Sequence, residues 1–119
     1  MFEKFTQKSI DVVSSAQDYA IQFQHTKVLS QHLLMGLVFH TKGVQAKILN
    51  FDKINFGELS VQILASCEIN PKIKDGKDIL FSKEVRTILK NAVNLSNELN
   101  SNFVMPQHIA LAILSDKNC

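Results

Sequence analysis

A chain of 119 residues, 45% hydrophobic and 20% charged with a net charge of +2, has the composition of one globular domain with its own core. It holds no run of 18 apolar residues, which argues against a membrane-spanning helix, and the start "MFEKFTQKS" lacks the apolar stretch of a secretory signal. Cys67 and Cys119 form neither a CxxC nor a Cys/His ligand spacing, so no metal or cofactor is expected and a reducing compartment is the simplest setting.

Helical periodicity begins at once. Thr6 is placed to cap a first helix in which Val12, Val13, Ala16, Tyr19, Ala20 and Phe23 recur at three-to-four spacing. Ser30 is read as the cap of a second helix carrying Leu33, Leu34, Leu37 and Val38. The segment "GVQAKILNF" predicts a short third helix with Val44, Ile48 and Leu49 inward. Asn55 then opens a fourth that buries Phe56, Leu59, Ile63 and Cys67. The stretch "EINPKIKDGKDIL" follows, with Pro71, an Asp-Gly pair and alternating charges, the composition of a connector.

After the connector the first pattern returns. Phe81 aligns with Phe5, Ser82 with Thr6, Ile88 with Val12, Leu89 with Val13, Ala92 with Ala16, Leu95 with Tyr19 and Leu99 with Phe23. The second helix keeps the same offset: "VLSQHLLMGL" is matched by "VMPQHIALAI", so Gln31 and His32 meet Gln107 and His108. Pro106, suited to the first turn of a helix, marks the same boundary as Ser30. Shared helix starts, loop length and the Gln-His pair in one ungapped alignment point to a tandem repeat. The expected fold is all-α, a pseudo-twofold repeat within a single domain over 1–119. Repeat one runs over about 5–67, the linker over about 68–80, and repeat two, read as truncated, over about 81–116.

The chain shows no catalytic set. GxSxG and HExxH are absent, and Gly76-Lys77 is no P-loop: Pro71 stands where the first glycine is needed and Asp78 where Ser or Thr should follow. The chain is therefore read as a non-enzyme. His32 and His108 are read as structural residues of a first helical turn, and His25 and His40 as members of no constellation. A helical nucleic-acid-binding protein is the reading from another class. Against it stand the single arginine, Arg86, and the interleaving of Lys72, Lys74 and Lys77 with Asp75 and Asp78. Phe2, with Phe5 near the first helix start and Ile79, Leu80 and Phe81 near its counterpart, could form an apolar dock. Phe5 and Phe81 are read as core anchors and Phe2 as the better surface contact.

The "MFEKFT" start, the long first helix, and the boxes "SQHLLMGL" and "PQHIALAI" together resemble the N-terminal domain of Clp-type AAA+ unfoldases, particularly ClpC and ClpB. That family's fold is a tandem repeat of four-helix units, and the resemblance covers essentially the whole chain. It implies a docking module for adaptor proteins or for unfolded or tagged substrates, working with Clp ATPase or protease subunits in the cytoplasm or a plastid stroma. Two versions stay open, a fragment of a large unfoldase and a free-standing accessory protein that binds the Clp core. In some members the helix starts also hold phosphorylated arginine, with box glutamates facing its guanidinium. Carried over, the binding surface would comprise Phe2, Thr6, Lys8, Gln31, Ile79, Ser82, Lys83 and Gln107. Gln31 and Gln107 replace both glutamates and offer no charge, which argues against phosphoarginine as a ligand.

Overall fold

The computed structural model describes residues 2–40 and 80–116. The expected third and fourth helices, the connector before Leu80 with Ile79, and both cysteines lie outside the described residues. Within them the order is α1 (Gln7–Gln22), β1 (Lys27–Val28), α2 (Ser30–His40), β2 (Leu80–Phe81), α3 (Lys83–Glu98) and α4 (Pro106–Ser115).

The two outer helices, α1 and α3, are built by the same local chemistry at positions 76 apart. The Thr6 hydroxyl accepts the Ser9 N–H at 3.2 Å, and the Ser82 hydroxyl accepts the Val85 N–H at 3.1 Å. Each such cap contributes about 1 kcal/mol by satisfying an N–H that the helix cannot use. The ends match as well. Gln24 and Asn100 adopt left-handed φ values of 58° and 57°. The His25 and Ser101 N–H groups then return to the Ala20 and Ser96 carbonyls, closing two Schellman motifs.

Of the inner helices, α4 starts at Pro106 as the sequence suggested, whereas α2 starts one residue earlier than suggested. Ser30 is its first helical residue and not its cap, so it stands where Pro106 stands in α4. The orphaned backbone donor at each start is satisfied from inside the helix. His32 Nδ1 accepts the Leu29 N–H and His108 Nδ1 accepts the Met105 N–H, both at 2.9 Å.

The all-helical expectation needs one addition. Lys27 and Val28 pair in parallel with Leu80 and Phe81, while Phe5 pairs in parallel with Val104. Thr6 N–H donates to the Val104 carbonyl at 3.1 Å and Ser82 N–H to the Val28 carbonyl at 3.0 Å. Each repeat thus clamps the chain entering the other repeat's inner helix, and the exchange is symmetric under the 76-residue offset.

One core holds both hairpins together. Val12, Val13, Ala16 and Ala20 of α1 meet Leu33 and Leu37 of α2, and Val85, Ile88, Leu89 and Ala92 of α3 meet Ile109, Ala110, Ala112 and Ile113 of α4 in the same cluster. Full burial of a Leu- or Ile-sized side chain stabilises by about 1.5–3 kcal/mol, so this cluster dominates the favourable side of folding. A β-carbon on Gly36 would stand 2.5 Å from the Val12 carbonyl oxygen, so α1 and α2 pack backbone to backbone there. The matching position in the other hairpin is Ala112, which is fully buried without a glycine.

Candidate functional site

The parallel clamps decide which predicted site residues meet. Thr6 is bonded to Val104, three residues before Gln107, and Ser82 to Val28, three residues before Gln31. Each outer-helix start therefore lies beside the box of the opposite repeat. The sequence offset pairs Thr6 with Gln31 and Ser82 with Gln107; the clamps instead bring Thr6 to the Gln107 box and Ser82 to the Gln31 box.

Neither cap hydroxyl is idle. Thr6 Oγ1 also donates to Ser9 Oγ at 3.1 Å, and Ser9 Oγ donates to the Val104 carbonyl at 2.7 Å. Gln31 and Gln107 are half-buried. Gln31 Oε1 accepts from the Ser30 hydroxyl at 3.3 Å, and Gln107 Nε2 lies 3.4 Å from Met105 Sδ. Lys8 and Lys83 are exposed in the first turns of α1 and α3. A cation there opposes the helix dipole by about 0.3–1 kcal/mol, so neither lysine serves helix stability. The result is a polar surface of hydroxyl, neutral amide and ammonium groups, with the Glu84 carboxylate in the first turn of α3.

Apolar contact comes from Phe2. Its half-buried ring meets Phe5 edge-on at 5.0 Å and leans on Phe81 at 6.2 Å. Phe5 is core as expected, but Phe81 is only half-buried. Phe2 and Phe81 line an open groove of about 290 Å³ with Ile10, Val13, Ser14 and Gln17 of α1. A second groove, of about 450 Å³, runs along α3 between Glu3, Lys4, Lys90, Val93 and Asn94.

The histidines were underestimated by sequence. His25 Nδ1 and His32 Nε2 are 2.8 Å apart and both side chains are fully buried. Because His32 Nδ1 already accepts from the Leu29 N–H, its ring proton sits on Nε2 and is donated to His25 Nδ1. The proton of His25 is then on Nε2, which is buried without a partner among the described residues. Burial lowers the pKa of His25. Burial, then the neighbouring His25, brings that of His32 down to about 4. No third ligand joins them: among the described residues no group of three His, Cys, Asp or Glu side chains could hold a metal ion. The signal available in sequence was the seven-residue spacing across a Schellman turn, too common to single the pair out.

Comparison with known proteins agrees with this architecture. The family model of the Clp repeat (R) N-terminal domain matches residues 4–119. A ClpA-homologue ATP-binding subunit of an ATP-dependent Clp protease from Trieres chinensis is 31% identical over 123 residues. The match covers 99% of this chain and 13% of that protein. The chloroplastic counterpart from Brassica napus is 28% identical over 98% of this chain and 13% of its own length. The chain thus spans about an eighth of these curated relatives. Among solved structures, the N-terminal domain of the ClpD chaperone from Arabidopsis thaliana superposes with a TM-score of 0.75 at 22% identity. That alignment covers 97% of this chain and 78% of the other. The Hsp104 N-terminal domain from Candida albicans gives 0.78 at 20% identity over 98% and 77% of the two chains. At these identities the structural likeness establishes the fold.

Proposed function

The chain belongs to the Clp repeat N-terminal domain family, and on that premise we propose that it is a non-catalytic docking module of a Clp chaperone–protease system. It would receive adaptor proteins or unfolded or tagged substrates and present them to a Clp ATPase or protease subunit. The observation that carries this reading is the pair of composite helix-start surfaces, Thr6 with the Gln107 box and Ser82 with the Gln31 box. They offer amide, hydroxyl and ammonium groups beside the Phe2 groove and carry no reacting set. The chloroplastic relatives favour a plastid stroma over the cytoplasm.

Gln31 and Gln107 favour the second version of this role, a free-standing accessory protein that engages the Clp core. A neutral amide gives a guanidinium about half the hydrogen-bond strength of a carboxylate, so phosphoarginine is not among the proposed ligands. The deciding experiment is affinity capture from the native extract with the tagged full chain. Recovery of Clp ATPase or peptidase subunits is expected, and their loss on mixed substitution of Phe2→Ser and Lys83→Ala would place the contact. Reproducible enrichment of an unrelated assembly without Clp subunits would overturn the proposal.

A further inference from the structure

We propose that the outer face of α3 is a docking surface for an acidic polypeptide segment, a role its repeat counterpart α1 does not share. Lys83, Arg86, Lys90, Asn94 and Asn97 recur at three-, four- and seven-residue steps, so they stand on one side of the helix, and all five are exposed. Lys4 extends the row, its Nζ reaching Asn97 Oδ1 at 3.5 Å. From Lys83 to Asn97 the helix rises about 21 Å at 1.5 Å per residue. That length accommodates about six residues of an extended chain at 3.3 Å each.

Pseudo-symmetry supplies the internal control. At the positions 76 residues earlier, α1 carries Gln7, Ile10, Ser14, Asp18 and Ile21, and Lys4 is answered by Leu80. The same scaffold therefore presents a row with one negative charge on α1. On α3 the row holds three cations, Lys83, Arg86 and Lys90, with Lys4 a fourth beside its far end; Glu98 stands exposed next to Asn97, and Glu3 is the one carboxylate among the described residues lining the groove. Ile21 is half-buried against the core and Ile10 lines the Phe2 groove, but capping and clamps are alike in both repeats and do not require the cations at Lys83, Arg86 and Lys90. The α3 row also flanks the groove of about 450 Å³ between Glu3, Lys4, Lys90, Val93 and Asn94. Val93 gives that groove an apolar wall, and Lys4 and Lys90 place ammonium groups at its edge. This combination fits carboxylates interspersed with an aliphatic side chain. A phosphate backbone fits worse: the groove contains Glu3 and, among the described residues lining it, no aromatic ring to stack a base.

This inference names a partner chemistry for the docking role, and its test uses no Clp component, so the two can fail separately. A fluorescein-labelled eight-residue peptide of alternating Glu and Leu would be titrated with the full chain and followed by anisotropy at low salt. Saturable one-to-one binding is expected. Lys90→Ser should weaken it about fivefold and Arg86→Gln with Lys90→Ser more than tenfold, with helicity by circular dichroism unchanged because both positions are exposed. The charge-matched Lys27→Ser, on β1 and outside the α3 row, should change it less than twofold. Absence of binding, or equal weakening by Lys27→Ser and Lys90→Ser, would overturn the proposal. Tighter binding of a single-stranded oligonucleotide of equal charge would overturn it in favour of a nucleic-acid surface.

Discussion

The buried pair His25–His32 turns a local hydrogen-bond chain into a pH dependence of the whole fold. Both acceptor nitrogens of the pair are occupied, one by the Leu29 N–H and one by the neighbouring ring. A further proton can enter only by breaking one of these bonds, in a site without solvent. Burial, and then the neighbouring His25, bring the His32 pKa down to about 4 from an ordinary 6.5. Between those values the unfolded chain binds more protons than the folded one, so stability is complete above pH 6.5 and declines as the pH falls towards 4. The difference corresponds to about 3 kcal/mol for His32, with His25 adding in the same direction. Urea unfolding at pH 7.5 and pH 4.5 should show that loss. His32→Asn keeps an acceptor for the Leu29 N–H but cannot titrate, and its pH profile should be flatter; an unchanged profile would show that other groups govern acid sensitivity. The unpartnered His25 Nε2 adds a standing cost of about 1–3 kcal/mol that His32→Asn leaves in place.

At the scale of elements, α1 and α3 were legible because their signals are local: a hydroxyl cap at Thr6 or Ser82 and an apolar stripe of period 3.6. The start of α2 was misplaced by one residue for a physical reason. The donor of Leu29 is satisfied by a histidine three residues into the helix, a cap that preference for Ser or Thr at the boundary does not anticipate. The two-residue strands were not legible at all, since two residues carry no period. Gly36 was hidden too, because only the packed structure shows the Val12 carbonyl facing it. That carbonyl is backbone, so it cannot rotate away from a new methyl group. Gly36→Ala should force α1 and α2 apart and lower stability by about 1–3 kcal/mol in denaturant unfolding, although alanine favours helix more than glycine does. Ala112→Gly, at the matching position of α4, should cost only about 1 kcal/mol or slightly more, from backbone entropy and one lost methyl. Equal costs at the two positions would mean that the hairpins cross at the same distance.

For the whole molecule, the repeat was readable from the 76-residue offset, but the way the halves depend on each other was not. Five identities in two 34-residue stretches (5–38 and 81–114) announce duplication without saying whether the units fold apart. The crossed clamps answer that question: α1 begins on Val104 and α3 begins on Val28. A single core cluster then joins Leu33 and Leu37 to Ile109 and Ile113. Neither repeat can lose its tertiary contacts without exposing a helix start of the other, so the described parts should unfold in one transition. The sequence provides a reporter, because Tyr19 is its single tyrosine and there is no tryptophan. Tyr19 lies in repeat one, beside Phe23 at 6.5 Å and packed against Met35. Ile109, fully buried in repeat two, is remote from it in sequence, and Ile109→Ala should destabilise by about 2–5 kcal/mol. If the repeats are coupled, that substitution moves the Tyr19 fluorescence transition and the far-ultraviolet circular dichroism transition to lower denaturant together. A Tyr19 transition left in place while the dichroism splits into two steps would show that the repeats are independent. The binding surfaces proposed at Thr6 and Ser82 would then lose their basis, since each is assembled from both halves.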